Sequence, residues 1–160
     1  YLVKALSART SAIVAYIGMT ACLFGVYVSY ANINIVIACM TGAFFCYGMA
    51  LAIAPALYAY VVTYTTAKTG KNAAGWIMGL QNIPLKAAVF LRGVILGACL
   101  VAVGWQSGVV LEGTARQGMT IAFAVVPATF CLVGMLLLIF GFKITKDKVV
   151  QYQKEIDARK

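Results

Sequence analysis

Four long apolar runs alternate with short polar stretches along this chain, and the alternation predicts an all-α, polytopic membrane protein with four transmembrane helices. The first run, residues 11–30, carries no charge and as a helix crosses a hydrocarbon core of about 30 Å. Ala31 and Asn32 leave room only for a tight turn. The second run, residues 33–62, holds Pro55, and Tyr58, Tyr60 and Tyr64 cluster near its end, at the depth expected of an aromatic belt. A polar loop with Lys68 and Lys71 is expected over residues 63–74. The third run, 75–105, and the fourth, 118–142, flank a second loop, 106–117, with Glu112 and Arg116. Residues 1–10 form a basic lead with Lys4 and Arg9. Residues 143–160 form a charged tail. In that tail Val149, Tyr152 and Ile156 recur at helical spacing behind Thr145, a capping residue, so the pattern predicts a short amphipathic helix on the membrane surface.

Composition agrees: 63% of residues are hydrophobic and 11% charged, the balance of an integral membrane protein. The net charge of +9 does not point to nucleic acid, because the surplus lies at segment ends. Lys4, Arg9, Lys68, Lys71 and six bases of the tail fall on one side of a four-span topology, and the other side holds only Arg116. The positive-inside rule makes the basic side cytoplasmic, with both termini there. Cys22, Cys39, Cys46, Cys99 and Cys131 all lie in apolar runs and read as reduced, packed thiols. There is no histidine, which removes histidine-ligated haem and most zinc chemistry. No metal ligand set, catalytic group or bound cofactor is expected. The chain opens on Tyr with no signal peptide ahead of it, and is expected to be a piece of something longer.

Chemistry concentrates in the third run. Lys86 and Arg92 lie deep within it, and a charge at bilayer depth costs about 2.5–3.5 kcal/mol on insertion scales. No Asp or Glu occurs in any apolar run, so the partners of these cations are expected from elsewhere. Stepping about 100° per residue from Lys86 puts Gly75, Gly79, Asn82, Gly93, Gly97 and Gly104 within about 40° of it. That is either a plain packing face with one tolerated Lys or a close-packed face lining a polar site; Asn82 beside Lys86 favours the site. Gln81 and Arg92 make a second polar stripe about 130° away. Arg92 lies about 20 Å from Trp105, too far to snorkel to that interface. Pro84 removes one helix hydrogen bond, so a kink is expected beside Lys86.

The order YxxxKTGKxAxGxIxxLQxxxxK, from Tyr64 to Lys86, resembles the segment before and within the eleventh helix of the glycoside–pentoside–hexuronide:cation symporters, a branch of the major facilitator superfamily. The tail TKDKVVQYQKEIDAR resembles that family's ending, and LVKALSAR the basic loop before its ninth helix. The resemblance implies that the four spans are helices 9–12 of twelve. It also implies that Lys86 lies near the cation and sugar sites, with Gln81 and Asn82 in the sugar-binding region. The coupling cation, Na⁺ or H⁺, would be bound mainly by carboxylates of an amino-terminal half not contained here. The chain departs from the family where Tyr60, Thr63 and Thr66 replace acids in the preceding loop, and where Leu51 stands at an aromatic position of the tenth helix.

These readings predict the carboxy-terminal portion of a secondary active transporter that is not an enzyme and is not competent alone. It would carry a glycoside or related polar solute by alternating access, in a bacterial inner membrane. Its partners would be the lipid bilayer, the remaining helices of the same transporter and a small solute, a sugar; nucleic acid is not among them. The alternative is a four-helix scaffold or assembly subunit that pairs through its glycine faces. A membrane enzyme lacks support, since no intramembrane acid and no nucleophile–base pair is present. Topology is testable in a cysteine-free background: a single cysteine at Ser107 should react with an impermeant maleimide on intact cells. One at Lys160 should react only after lysis, and its labelling from outside would reverse the orientation.

Overall fold

A computed structural model describes residues 7–105 and 113–158; Lys4, Glu112, Arg159 and Lys160 lie outside the described residues. Its elements are α1 (Ala8–Val28), α2 (Ile33–Thr69), α3 (Ala74–Leu80), α4 (Asn82–Ala102), α5 (Gly113–Thr120), a π-turn (Ile121–Val125), α6 (Val126–Gly141) and α7 (Lys146–Asp157). The third span is α3 plus α4, the fourth is α5, the π-turn and α6, and four helical stretches are long and apolar enough to cross a membrane.

Several boundaries differ from the pattern, each for a local reason. Ser7, not the segment around Thr10, starts α1: its side chain accepts the Thr10 N–H at 3.2 Å, so Arg9 belongs to the first helical turn. The loop expected over 63–74 is helical to Thr69. Thr63 and Thr69 return their hydroxyls to the carbonyls of Ala59 and Thr65, and nothing stops the helix before Gly70, whose φ of 69° ends it. At 37 residues α2 is about 55 Å long, well beyond one bilayer crossing. The fourth span starts at Gly113, inside the expected second loop. Gly104 does not continue the glycine face. It takes φ 67° and closes α4 in a Schellman arrangement, with Trp105 N–H on the Leu100 carbonyl and Gly104 N–H on that of Val101.

Packing follows membrane logic, with small residues inside and large ones towards lipid. The buried apolar set is mostly alanine, including Ala8, Ala12, Ala15, Ala43, Ala124 and Ala128, while Phe44, Phe45, Phe130, Leu137 and Phe140 are exposed. One cluster joins Ala8 and Ala12 of α1 to Ile53 of α2, flanked by Tyr60 and Leu138; another joins Leu23, Ala43 and Ala128. Tyr60 thus serves packing within the chain. So does Tyr64, whose ring meets Tyr152 edge-on at 5.4 Å and docks α7 on the overhanging end of α2. The tail stripe Val149, Tyr152 and Ile156 is half-buried on that seam. Thr145 does occupy the N-cap of α7, but with no side-chain hydrogen bond.

The α1–α2 pair is interlocked by glycine against cysteine. A Cβ at Gly18 would lie 2.8 Å from Cys46 Sγ, one at Gly25 3.0 Å from Cys39 Sγ, and one at Gly42 3.0 Å from Cys22 Sγ. Each thiol fills the notch left by a missing side chain on the opposite helix. Two arginines tie the hairpin to the fourth span. Arg9 donates through Nη2 to the Ile139 carbonyl at 2.6 Å, near the C-terminus of α6 where carbonyls lack helical partners. At the other end Arg116 donates to the Tyr30 carbonyl at 3.2 Å and lies 5.7 Å above the Tyr30 ring.

Filling a notch should therefore destabilise the hairpin. Gly42→Val should cost about 1–3 kcal/mol of overpacking, read as a lower thermal midpoint in detergent. Gly48→Ala, where a new Cβ meets nothing within 4 Å, should leave the midpoint unchanged or slightly higher. Gly18→Ala should be better tolerated in a Cys46→Ala background than alone, and equal costs in both backgrounds would exclude the interlock.

Candidate functional site

The third span differs from the others in being almost uncovered. Its first part α3 meets the end of α2 and buries Ile77, and its far end meets the fourth span where Gly118 leaves room for Val103. Between these contacts α4 has no buried residue. A Cβ built on Gly75, Gly79, Gly93 or Gly97 would meet nothing within 4 Å. The glycine face anticipated as close-packed is thus open within this chain.

Helix geometry brings Asn82 and Lys86 together, one turn apart on the same side of α4. Phe90, large and exposed, follows one turn beyond Lys86 on that side, and Gly93 and Gly97 continue it two and three turns on. Asn82, Lys86 and Arg92 are exposed, and their side chains form no hydrogen bond or ion pair with any described residue. Arg92 stands about 120° around the helix from Lys86, so the two cations face different surroundings. Gln81 is half-buried and belongs to neither helix. It keeps helical dihedrals (φ −56°, ψ −32°), but its N–H turns to the Met78 carbonyl at 3.3 Å.

The interruption sits at Gln81, not beside Lys86 as the position of Pro84 implied. Pro84 has no N–H to offer the Leu80 carbonyl four residues back, and its ring crowds that carbonyl, so the ladder opens one turn upstream of the proline. The break also means that Gly75 and Gly79 lie on a separate helix from Lys86. The polar face proper is Asn82, Lys86, Gly93 and Gly97.

A second irregularity repeats the theme in the fourth span. Pro127 cannot serve the Phe123 carbonyl, and just upstream the backbone widens into the π-turn, with Val126 N–H on the Ile121 carbonyl five residues back. Beside it a groove of about 360 Å³ runs between α1 and the fourth span. A smaller apolar hollow of about 240 Å³ lies among Leu57, Tyr58, Val61 and Phe142. Neither is lined by Gln81, Asn82, Lys86 or Arg92.

The pattern of four spans, the overhanging second helix with its KTGK end and the interrupted third span with a Lys on its open face fit a transporter segment. A family model for MFS/sugar transport proteins matches residues 1–146. The chain belongs to this family. No curated protein and no solved structure gave a match. Family membership places the chain in the major facilitator superfamily as an integral membrane protein of sugar transport, which favours a transporter over a scaffold and over an enzyme. The family and the four apolar spans point to the lipid bilayer and a small sugar solute as partners.

Of the stripe expected around Lys86, Asn82, Gly93 and Gly97 share its helix while Gly75, Gly79 and Gly104 do not; the arginine ties were not legible, since Arg9 and Arg116 counted only as topology charges. Their signal was position: each lies within a turn of an end of a span, where helix carbonyls are left free. Pro84→Ala should restore the missing N–H and close the ladder at Gln81. Spin labels at exposed Trp76 and Ala98 should then give a narrower distance distribution than in the parent; an unchanged distribution would mean that the break does not depend on the proline.

Proposed function

We propose that this chain is the carboxy-terminal portion of a melibiose-permease-like, cation-coupled symporter of a glycoside or related polar solute, working by alternating access in a bacterial inner membrane, with the chain's third span facing the substrate. The observation carrying this reading is the open face of α4. Asn82 and Lys86 lie one turn apart on it, exposed and with no hydrogen bond or ion pair to any described residue. A cation on such a face is kept charged by acids, water or a bound solute. The chain has no acid in any span, so further helices of the same transporter supply the carboxylates that face Lys86 and hold Na⁺ or H⁺. Asn82, and Gln81 at the break, offer amide donors and acceptors to solute hydroxyls. The interruption before Asn82 lets α3 and α4 move relative to each other, as discontinuous helices do in transporters. Arg92, on another face, pairs with protein or water away from the solute. In this arrangement the tail and the end of α2 face the cytoplasm.

Lys86→Ala in the full transporter should lower cation-coupled uptake at least about tenfold, the effect of ~1.4 kcal/mol. Expression and insertion should be undiminished, because a costly charge is gone. Lys86→Arg should rescue only in part, since a planar guanidinium replaces a compact ammonium, and Arg92→Ala should act more mildly. Normal uptake with unchanged cation dependence in Lys86→Ala would remove Lys86 from the site.

A further inference from the structure

Transport through the open face of α4 makes no use of the groove between α1 and the fourth span. Its walls include Thr20, Phe24 and Tyr27 from α1 and Val125, Thr129 and Leu132 from the fourth span. The groove exists because its floor is small, with Ala124 and Ala128 buried there, and because the π-turn widens the helix beside it. The lining is almost wholly apolar. Thr129 has turned its hydroxyl to the Val126 carbonyl at 2.7 Å, so it presents a methyl rather than a hydrogen-bonding demand. The Thr20 hydroxyl is buried without a hydrogen-bond partner among the described residues, a polar atom in a wall whose remaining surface suits hydrocarbon.

Charge at one end of the groove identifies the occupant further. Ile121, on the lining, follows Thr120, whose hydroxyl bonds the Arg116 carbonyl one turn back. Tyr27, also on the lining, is one turn from Tyr30, whose carbonyl receives Arg116 Nη2 at 3.2 Å. Arg116 therefore stands at the mouth of the groove. It is exposed, and it begins the apolar stretch Arg116–Gly141, which puts it at headgroup level. One of its five N–H groups is committed to Tyr30, leaving others in the planar arrangement that matches a phosphate.

We propose that this groove binds a membrane phospholipid, one acyl chain lying between α1 and the fourth span and the phosphate resting on Arg116. An apolar slot at hydrocarbon depth with a single cation at its rim complements a molecule with an anionic head and a long apolar chain.

The test uses the full transporter in phosphatidylcholine vesicles doped with phosphatidylglycerol carrying a diazirine on one acyl chain. After illumination, mass spectrometry should find the label on peptides covering Thr20–Tyr27 and Ile121–Leu132. Thr129→Trp, an exposed position filled by a large ring, should remove most of that label and leave labelling of other spans unchanged. Arg116→Ala should weaken it about fivefold, the effect of losing one base beside an anionic head. A diacylglycerol probe with the same chain but no phosphate should label weakly and ignore Arg116→Ala. Equal labelling by both probes, or parental labelling in both variants, would overturn the site and reduce the groove to ordinary lipid contact. Phe24→Cys forming a disulfide between two copies, with the groove unlabelled, would assign it to a second copy of the chain instead.

Discussion

Glycine facing sulfur at three successive levels brings α1 and α2 close enough to act as one unit. Lipid gives apolar helices no reason to leave it for each other, so association in a membrane rests on close approach and the dispersion it permits. Gly18, Gly25 and Gly42 provide the approach, and Cys46, Cys39 and Cys22 fill what would otherwise be voids. A thiol suits such a notch because it is small, polarisable and nearly without hydrogen-bonding demand. Once α2 is fixed, α1 becomes the hub, with α2 on one side and the fourth span on the other.

The hub is then fastened at both ends by cations that serve helix termini. Arg9 bonds a carbonyl near the C-terminal end of α6, where the backbone lacks intrahelical donors and the helix dipole is negative. Arg116 does the corresponding job for the turn after α1. Each bond therefore satisfies an acceptor that the regular helix leaves open, and together they set the axial position of α1 against the fourth span. The third span receives no such fastening along its described length, and this contrast is what gives the chain a packed part and an open part.

The four spans and the polar residues of the third were legible because hydrophobic length and charge placement are one-dimensional properties. The tail stripe was legible too, since Val149, Tyr152 and Ile156 share a helical face. What covers that face was not, because it depends on how far α2 extends beyond the bilayer. Threonines there suggest a loop, although their hydroxyls can fold back on the helix and let it continue. The interlock left a trace that single-span reading misses: the order Gly–Cys–Gly at 18, 22 and 25 is mirrored as Cys–Gly–Cys at 39, 42 and 46. Only antiparallel pairing across the Asn32 turn brings the two orders into register. Pro84 is recognisable as a disturbance, but a kink expected beside Lys86 lies on the wrong side of it. A proline withdraws a donor from the carbonyl four residues earlier, so the opening lies upstream, at Leu80 and Gln81.

Two cations on different sides of α4 constrain how this span is surrounded in the transporter. Lys86 and Arg92 lie about 120° apart, too far around a helix for one neighbouring surface to meet both. Each is costly in hydrocarbon, about 2.5–3.5 kcal/mol, so neither side can be left simply to lipid. On the Lys86 side Phe90 stands one turn away and Gly93 and Gly97 leave space two and three turns on, whereas Val89, Ile95 and Leu96 neighbour Arg92. Space next to a cation admits water or solute, and bulk next to a cation calls for a fitted protein partner. The side with Asn82 and Lys86 holds two polar groups one turn apart and the glycines beyond them, and on the proposed reading it is the one that meets a changing occupant. On the proposed reading the Arg92 side holds a permanent contact, and α4 turns one face to the solute while the other stays anchored.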